Sequence, residues 1–294
     1  MNVAKNKKLL FSIALNVVLA VAFSILLYLV YPQFTHRLDR VENCGRYSVR
    51  TYRNWENGRA YFEVLIGPEE WDRQPQIPRR IYSCSGTQAF SVEKFGADVT
   101  GNGKSDLVIW QWCGSASGHG SRYRVLELDG SCVKEIGVIA GLAGVKAKDV
   151  NGDGVDEFIG YDEAYCCFGG CCHADSPCPQ VMLSFDRTQG KFILNKQLMA
   201  KPPLPEEQLH RLSLNYKDDP WWAGALLPPP GLFSTMFDLI YGGNEKQAWE
   251  LFDASQPEGS KVSKEKWQDE IEDALRCSPF NPVTVIADRN REKL

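Results

Sequence analysis

One short segment of the chain places oxygen-bearing side chains at the alternating positions that a calcium ion requires. Asp149, Asn151 and Asp153 are followed by Gly154 and then by Glu157, which is the ninth residue counted from Asp149. Carboxylate and amide oxygens are the ligands of hard dications, and a glycine permits the sharp turn that wraps the backbone round an ion. The segment therefore predicts a calcium loop.

An upstream segment, residues 97–110, repeats the pattern. Asp98 and Asp106 occupy its first and ninth positions, and Asp98 precedes Asp149 by 51 residues. An EF-hand needs a bidentate glutamate at the twelfth position, where the two segments have Ile109 and Gly160 instead. Apolar, β-forming residues follow both loops, so each loop is predicted to lead into a strand. The alternative interpretation is a pair of Asp/Gly turns whose side chains cap their own backbone.

The two segments resemble the FG-GAP/VCBS type of repeat, which forms the calcium-loop blades of integrin α-chain propellers and of many bacterial surface proteins. The resemblance implies two sets of ligands. They are the side chains of Asp149, Asn151, Asp153 and Glu157 with the carbonyl of Val155, and the side chains of Asp98, Thr100, Asn102 and Asp106 with the carbonyl of Lys104. Because the downstream set has three carboxylates and the upstream set has two, we expect the downstream loop to bind calcium more tightly.

The repeat also predicts the fold. Each copy reads as calcium loop, strand, loop bearing Cys or His, strand, tight turn and strand. Strands are predicted at 123–128, 132–139, 181–185 and 191–195, and at 60–66 and 80–83 in a degenerate unit without an acidic loop. A closed propeller usually has four or more blades. We therefore expect a mainly β fold of two to three calcium-loop repeat units in an open or incomplete propeller-like arrangement, with an N-terminal transmembrane helix and a small C-terminal α-helical unit.

Residues 9–31 carry no charge over 23 positions, with Ser and Asn as the only polar interruptions. At about 1.5 Å per residue such a helix spans a bilayer core of about 30 Å. Lys5, Lys7 and Lys8 precede it, which keeps the N-terminus in the cytoplasm and predicts an uncleaved single-pass signal anchor. The rest of the chain is then periplasmic or extracellular. A signal peptide cleaved after Ala22 is the alternative.

The ten cysteines agree with an oxidising compartment. Five of them lie in one loop with His173, at spacings that contain no Cys-x-x-Cys motif: Cys166, Cys167, Cys171, Cys172 and Cys178. Disulfide bonds are the first interpretation, and a soft-metal site for copper or zinc is the alternative.

The domain order follows from these features. We predict a cytoplasmic tail at 1–8, the transmembrane anchor at 9–31, a juxtamembrane segment at 32–43, a Cys-rich calcium-loop β-repeat domain at 44–200, a Pro-rich linker at 201–231, a helical unit at 232–278 and a C-terminal tail at 279–294. The linker is expected to be extended, and its Trp221 and Trp222 are expected to pack on the adjoining domain rather than to form a docking surface. The size of the helical unit is marginal for independent stability, so we expect the unit to dock on the β domain.

The remaining sequence features argue against one class of partner and identify no reaction. A net charge of −4 without a Lys/Arg cluster beyond the first eight residues argues against a nucleic-acid partner. Four scattered histidines and the lack of catalytic motifs identify no reaction. Asp162 and Glu163 are expected to be solvated carboxylates rather than an acid/base pair.

The function expected is that of a non-enzymatic module, anchored in a bacterial inner membrane, whose calcium-rigidified β unit binds a protein or a glycan. The sequence contains no Asn-x-Ser/Thr glycosylation acceptor, which favours a bacterial source over a eukaryotic secretory one. An envelope enzyme or metal-handling protein that uses the loop 166–178 is the alternative.

Overall fold

The computed structural model describes residues 21, 36–54, 59–67, 79–87, 89–112, 121–130, 132–224, 227–258 and 263–282. In this part of the chain no helix combines the length and the apolarity needed to cross a bilayer. Apart from Val21, the predicted anchor at 9–31 lies outside these residues, as do the predicted tails at 1–8 and beyond residue 282.

Twelve strands form three four-stranded antiparallel sheets within the described residues, and in each sheet the strands follow one another in chain order. The first sheet contains β1 His36–Cys44, β2 Tyr47–Asn54, β3 Ala60–Ile66 and β4 Arg79–Thr87; the second contains β5 Ala89–Ala97, β6 Ser105–Trp112, β7 Arg122–Asp129 and β8 Cys132–Ala140; the third contains β9 Leu142–Lys148, β10 Glu157–Asp162, β11 Gln180–Asp186 and β12 Lys191–Leu194. The expectation of a mainly β fold is confirmed at this level.

The strands predicted from alternation and turn signals are all present, within a few residues of the expected bounds. The turn between β7 and β8 is Asp129-Gly130, and Gly130 has a left-handed φ of 56° that a glycine adopts without strain. In β6, Leu107, Val108 and Ile109 are fully buried, as befits a central strand covered on both faces. β1 takes up most of the predicted juxtamembrane segment.

Six helices follow the third sheet in the described residues. They are α1 Lys196–Met199, α2 Glu206–Lys217, α3 Trp221–Gly224, α4 Pro230–Tyr241, α5 Glu245–Ser255 and α6 Lys264–Cys277. Ser263 directly precedes the helix α6, and its side chain accepts a hydrogen bond from the backbone N–H of Lys266 and so caps the first turn. Three short 3-10 turns, Glu163–Tyr165, Phe168–Gly170 and His173–Asp175, lie between β10 and β11.

The expectation of an extended linker is wrong for residues 206–217, which form α2. Pro205 directly precedes the helix, and Glu206 and Glu207 lie in its first turn, where negative charge favours the helix dipole. The prolines therefore flank this helix rather than prevent it. Trp222 is 6% exposed and donates a hydrogen bond from its indole N–H to the Tyr216 carbonyl at 2.8 Å, so for Trp222 the packing interpretation is correct.

The chain divides into two compact units, residues 1–90 and 91–294. In the second unit one hydrophobic core runs through the second sheet, the third sheet and the helices, from Val108 through Phe158 to Ile271. The helical residues therefore share the core of the β residues, as their small size led us to expect. Tyr165, which follows β10, contacts Phe237 of α4, and their ring centroids lie 4.1 Å apart.

Candidate calcium-binding loops

Both predicted calcium loops are connections within a sheet. The upstream loop joins β5 to β6, and the downstream loop joins β9 to β10. The sequence did not predict β5 or β9. Each loop thus joins two adjacent antiparallel strands. In both sheets these are the first and second strands.

Asp98 organises the upstream loop. One of its carboxylate oxygens accepts the backbone N–H of Asn102 at 3.0 Å, and the other accepts the backbone N–H of Gly103 at 2.7 Å. Gly103 has a left-handed φ of 84°, which closes the loop tightly enough for both bonds. The backbone therefore curls round the first predicted ligand.

Asp106 is the most unusual group of the upstream loop, because it is a carboxylate with no exposed surface. Its Oδ2 accepts the N–H groups of Val99 and Thr100 and the hydroxyl of Thr100, at 3.0 to 3.1 Å. Its Oδ1 is buried and has no hydrogen-bond donor within the described part of the chain. Burial raises the pKa of this carboxyl to about 6, against the opposing effect of the Thr100 and Val99 hydrogen bonds. A buried carboxylate oxygen without a donor is costly, and a bound cation would remove that cost.

Glu127, on the neighbouring strand β7, is a residue of this site that the sequence analysis missed. It is the register partner of Asp106 on the adjacent strand β6. Its Oε1 accepts the Lys104 ammonium at 2.9 Å, and its Oε2 accepts the Asn102 side-chain amide. Lys104 also reaches Asp129 at 2.8 Å, and these two carboxylates, Asp129 foremost, raise the pKa of Lys104. Glu127 therefore ties the loop to its own sheet.

The downstream loop is more exposed and more self-contained. Asp149 accepts the backbone N–H of Gly152 at 2.7 Å and that of Gly154 at 2.9 Å. The Asn151 and Asp153 side-chain oxygens each accept the backbone N–H two residues on, from Asp153 and Val155. These hydrogen bonds form Asx turns. The alternative interpretation, in which Asp/Gly turns cap their own backbone, predicts this geometry.

Glu157 closes the downstream loop from the start of β10 and is 2% exposed. Its Oε2 accepts the backbone N–H of Val150 at 3.0 Å. Its Oε1 lies 3.3 Å from the Asn151 amide nitrogen and 3.4 Å from the Ser184 hydroxyl. Both oxygens of Glu157 thus have donors, whereas Oδ1 of Asp106 has none in the described part of the chain.

The structure brings each predicted ligand set into one loop but does not hold three acidic side chains together at a single point. Across the described ranges, no group of three or more His, Cys, Asp or Glu side chains is arranged to hold a metal ion. The donor types suit calcium, and the buried Oδ1 of Asp106 suits a cation. On these observations the upstream loop fits the ion better than the downstream loop does.

The cysteine loop contains thiols in this structure. No disulfide joins the described cysteine side chains. Cys113 and the side chain of Cys84 lie outside the described part of the chain, so pairing in an oxidising compartment stays a prediction. The sulfurs of Cys166 and Cys167 lie 3.6 Å apart. Burial raises the pKa of Cys171, and that of Cys178 to about 11. Because a bound metal ion would itself deprotonate a coordinating thiol, these pKa shifts do not decide against the soft-metal alternative, which stays a prediction.

Asp162 was expected to be solvated, and that expectation is wrong. Asp162 is fully buried, and its Oδ1 accepts the backbone N–H of Ala164. Its Oδ2 accepts the hydroxyls of Tyr241, at 2.7 Å, and Ser278, at 2.5 Å. The end of β10 faces the helices rather than water, so Asp162 joins the sheet to the helical residues.

The pKa of Asp106 leads to a testable pH dependence for the calcium-free protein. The folded-state pKa lies above the ordinary value of 3.8, so the folded protein holds the proton more tightly than the unfolded chain. The resulting stabilisation is fully present below pH 3.8 and is lost as the pH rises through about 6. It is expected to amount to about 2 kcal/mol of unfolding free energy after allowance for solvent screening.

Urea unfolding in a chelator, repeated across this pH range, measures the effect. Asp106→Asn is expected to remove this component of the pH dependence, whereas Asp269→Asn, an exposed residue of α6, should retain it. Parallel curves for the wild-type protein and Asp106→Asn would contradict the assignment.

Comparisons with protein families, with curated proteins and with solved structures found no match to this chain.

Proposed function

We propose that this protein is a membrane-anchored, extracytoplasmic binding module of a bacterial envelope, whose FG-GAP/VCBS-like β-repeat units, in an open or incomplete propeller-like arrangement, are stabilised by calcium. Residues 9–31 provide the anchor, and the β sheets present a surface to a protein or glycan partner. The module performs no catalysis of its own. Calcium acts structurally, by fixing the loops that begin β6 and β10.

The observation that carries this proposal is the buried Oδ1 of Asp106, which has no hydrogen-bond donor among the described residues and stands at the ninth position of a loop whose residue types suit calcium. A calcium ion at this oxygen would be held by the side chains of Asp98, Thr100, Asn102 and Asp106 and by the Lys104 carbonyl. The same arrangement in the downstream loop uses Asp149, Asn151, Asp153, Glu157 and the Val155 carbonyl. That two consecutive sheets carry the loop at the same place supports a repeat rather than a chance pair of turns.

Calcium is expected to stabilise the full-length protein against unfolding. Extracellular modules bind calcium with dissociation constants of about 0.1 to 1 mM. At ten times the dissociation constant, one filled site adds about 1.4 kcal/mol to the free energy of unfolding. Thermal melting of the detergent-solubilised chain, with calcium and with a chelator, measures this change.

The variants assign the effect to the loops. Asp106→Asn and Asp149→Asn should each remove part of the calcium-dependent rise in melting temperature, and the double variant should remove all of it. Asp269→Asn is the matched control and should leave the rise unchanged. If calcium leaves the melting temperature of the wild-type chain unaltered, the proposed function is wrong.

The partner is tested separately. Binding of the purified chain to immobilised glycans or to envelope proteins should be weaker in chelator and weaker for Asp106→Asn than for Asp269→Asn. Equal binding under all of these conditions would remove the link between calcium and recognition.

A further inference from the structure

The two loops contact each other, although they belong to different sheets. Gly101 of the upstream loop lies against the downstream sheet so closely that a Cβ built on it would be 2.9 Å from a methyl carbon of Val155 and 2.7 Å from the Arg187 guanidinium. At these distances a side chain at position 101 would displace Val155 or Arg187. Glycine also adopts the left-handed φ of 68° found here without strain.

Arg187 holds the upstream loop from the opposite sheet. It lies in the turn between β11 and β12, and its Nε donates to the Thr100 carbonyl at 3.3 Å. The turn is itself fixed, because Asp186 accepts the backbone N–H and the hydroxyl of Thr188 at 2.7 and 2.6 Å. Arg187 is therefore presented by a rigid turn to a carbonyl located between two predicted calcium ligands, Asp98 and Asn102.

An ion pair forms the second connection between the loops, and here the basic residue belongs to the second sheet and the acidic residue to the downstream loop. Lys94 of β5 lies 2.9 Å from Asp156 of the downstream loop, whose side chain is 14% exposed. Asp156 directly precedes the ligand Glu157 and follows Val155, whose carbonyl is the proposed backbone ligand. Each loop is thus held by a basic residue from the other sheet.

We propose that the two loops form one coupled calcium-binding device, in which Arg187 and Lys94 are positioning residues and occupancy of either loop raises the calcium affinity of the other. This inference rests on the proposed function. A calcium ion fixes the backbone of its own loop, and the contacts of Gly101, Val155 and Arg187 transmit that order to the neighbouring loop. The second ion then meets a loop whose ordering entropy has already been lost, which produces positive coupling without a change of fold.

Calcium titration of the full-length protein by isothermal titration calorimetry tests the coupling. In the wild-type chain the second calcium is expected to bind about fivefold or more tightly than two independent sites would allow. Arg187→Met should reduce the coupling between the two binding steps while leaving two sites. Arg187→Lys keeps the charge but loses the planar donor group, so it separates the effect of geometry from that of charge. Lys246→Met, at a side chain of α5 that is 90% exposed, is the control and should keep the coupling.

A purely structural role for Arg187 would lower the melting temperature without altering the ratio of the two binding constants. If Arg187→Met does not fold, Asp156→Asn breaks the Lys94 connection and should reduce the coupling in the same way. Two independent sites in the wild-type chain would overturn this inference and leave the proposed function standing. Absence of calcium binding would overturn both.

Discussion

Asp162→Ala is expected to lower the free energy of unfolding by about 3 kcal/mol. The substitution leaves the buried hydroxyls of Tyr241 and Ser278 without their shared acceptor and removes the side-chain bond to the Ala164 N–H. Burial, followed by neighbouring groups that include Asp162, raises the pKa of both Tyr241 and Tyr165, so these phenols remain neutral donors. A carboxylate that accepts several buried donors is difficult to replace, because each donor then loses its partner in a place that water does not reach.

Chemical denaturation measures this loss. Asp162→Asn keeps the shape and one acceptor oxygen and should cost less than Asp162→Ala. Asp269→Ala removes an exposed carboxylate from α6 and should change the unfolding free energy by less than about 0.5 kcal/mol. An Asp162→Ala protein as stable as Asp269→Ala would show that the buried hydrogen bonds do not join sheet and helices as the structure indicates.

Phe237→Ala is expected to cost about 4 kcal/mol, because it opens a cavity where α4 meets the end of the third sheet. Phe237 is fully buried. Its ring lies 4.1 Å from that of Tyr165 and 5.4 Å from that of Phe168, centroid to centroid. Both partners lie between β10 and β11, so the loss falls on the sheet and on the helix together.

Hydrogen exchange locates that loss. Amides of β10 and β11 should lose protection in Phe237→Ala to the same extent as those of α4, because the two elements share one core. Leu214→Ala is the control, because Leu214 lies on α2 and is 48% exposed. This variant should leave both sets of amides protected. Faster exchange confined to the helices would mean that the helical residues unfold separately from the sheets.

The two predicted calcium loops were visible in the sequence because the residue pattern of a calcium loop is local. Its ligands lie within nine consecutive residues, so residue types and spacing are enough to place Asp149, Asp153 and Glu157 in one turn. The hairpin at Asp129-Gly130 was equally predictable, since turn conformation depends on the residues in the turn. The strands β1, β2, β5 and β9 were missed, and three of them, β1, β5 and β9, are the first strands of their sheets. Their mixed polar and apolar sequence forms a strand only when a neighbour supplies the hydrogen bonds.

The sequence by itself determined the strand-rich class, the two acidic loops and the residue types that could hold calcium. The tertiary structure alone decided how those loops are supported. Glu127 joins the upstream loop from 25 residues away, Arg187 reaches Thr100 from 87 residues away, and Ser278 reaches Asp162 from 116 residues away. No periodicity connects such pairs, because their contacts depend on how the sheets pack on each other and on the helices. The same packing buries Asp106 and leaves its Oδ1 without a donor among the described residues. This oxygen makes the upstream loop the better candidate for a cation, although the downstream loop has more carboxylates.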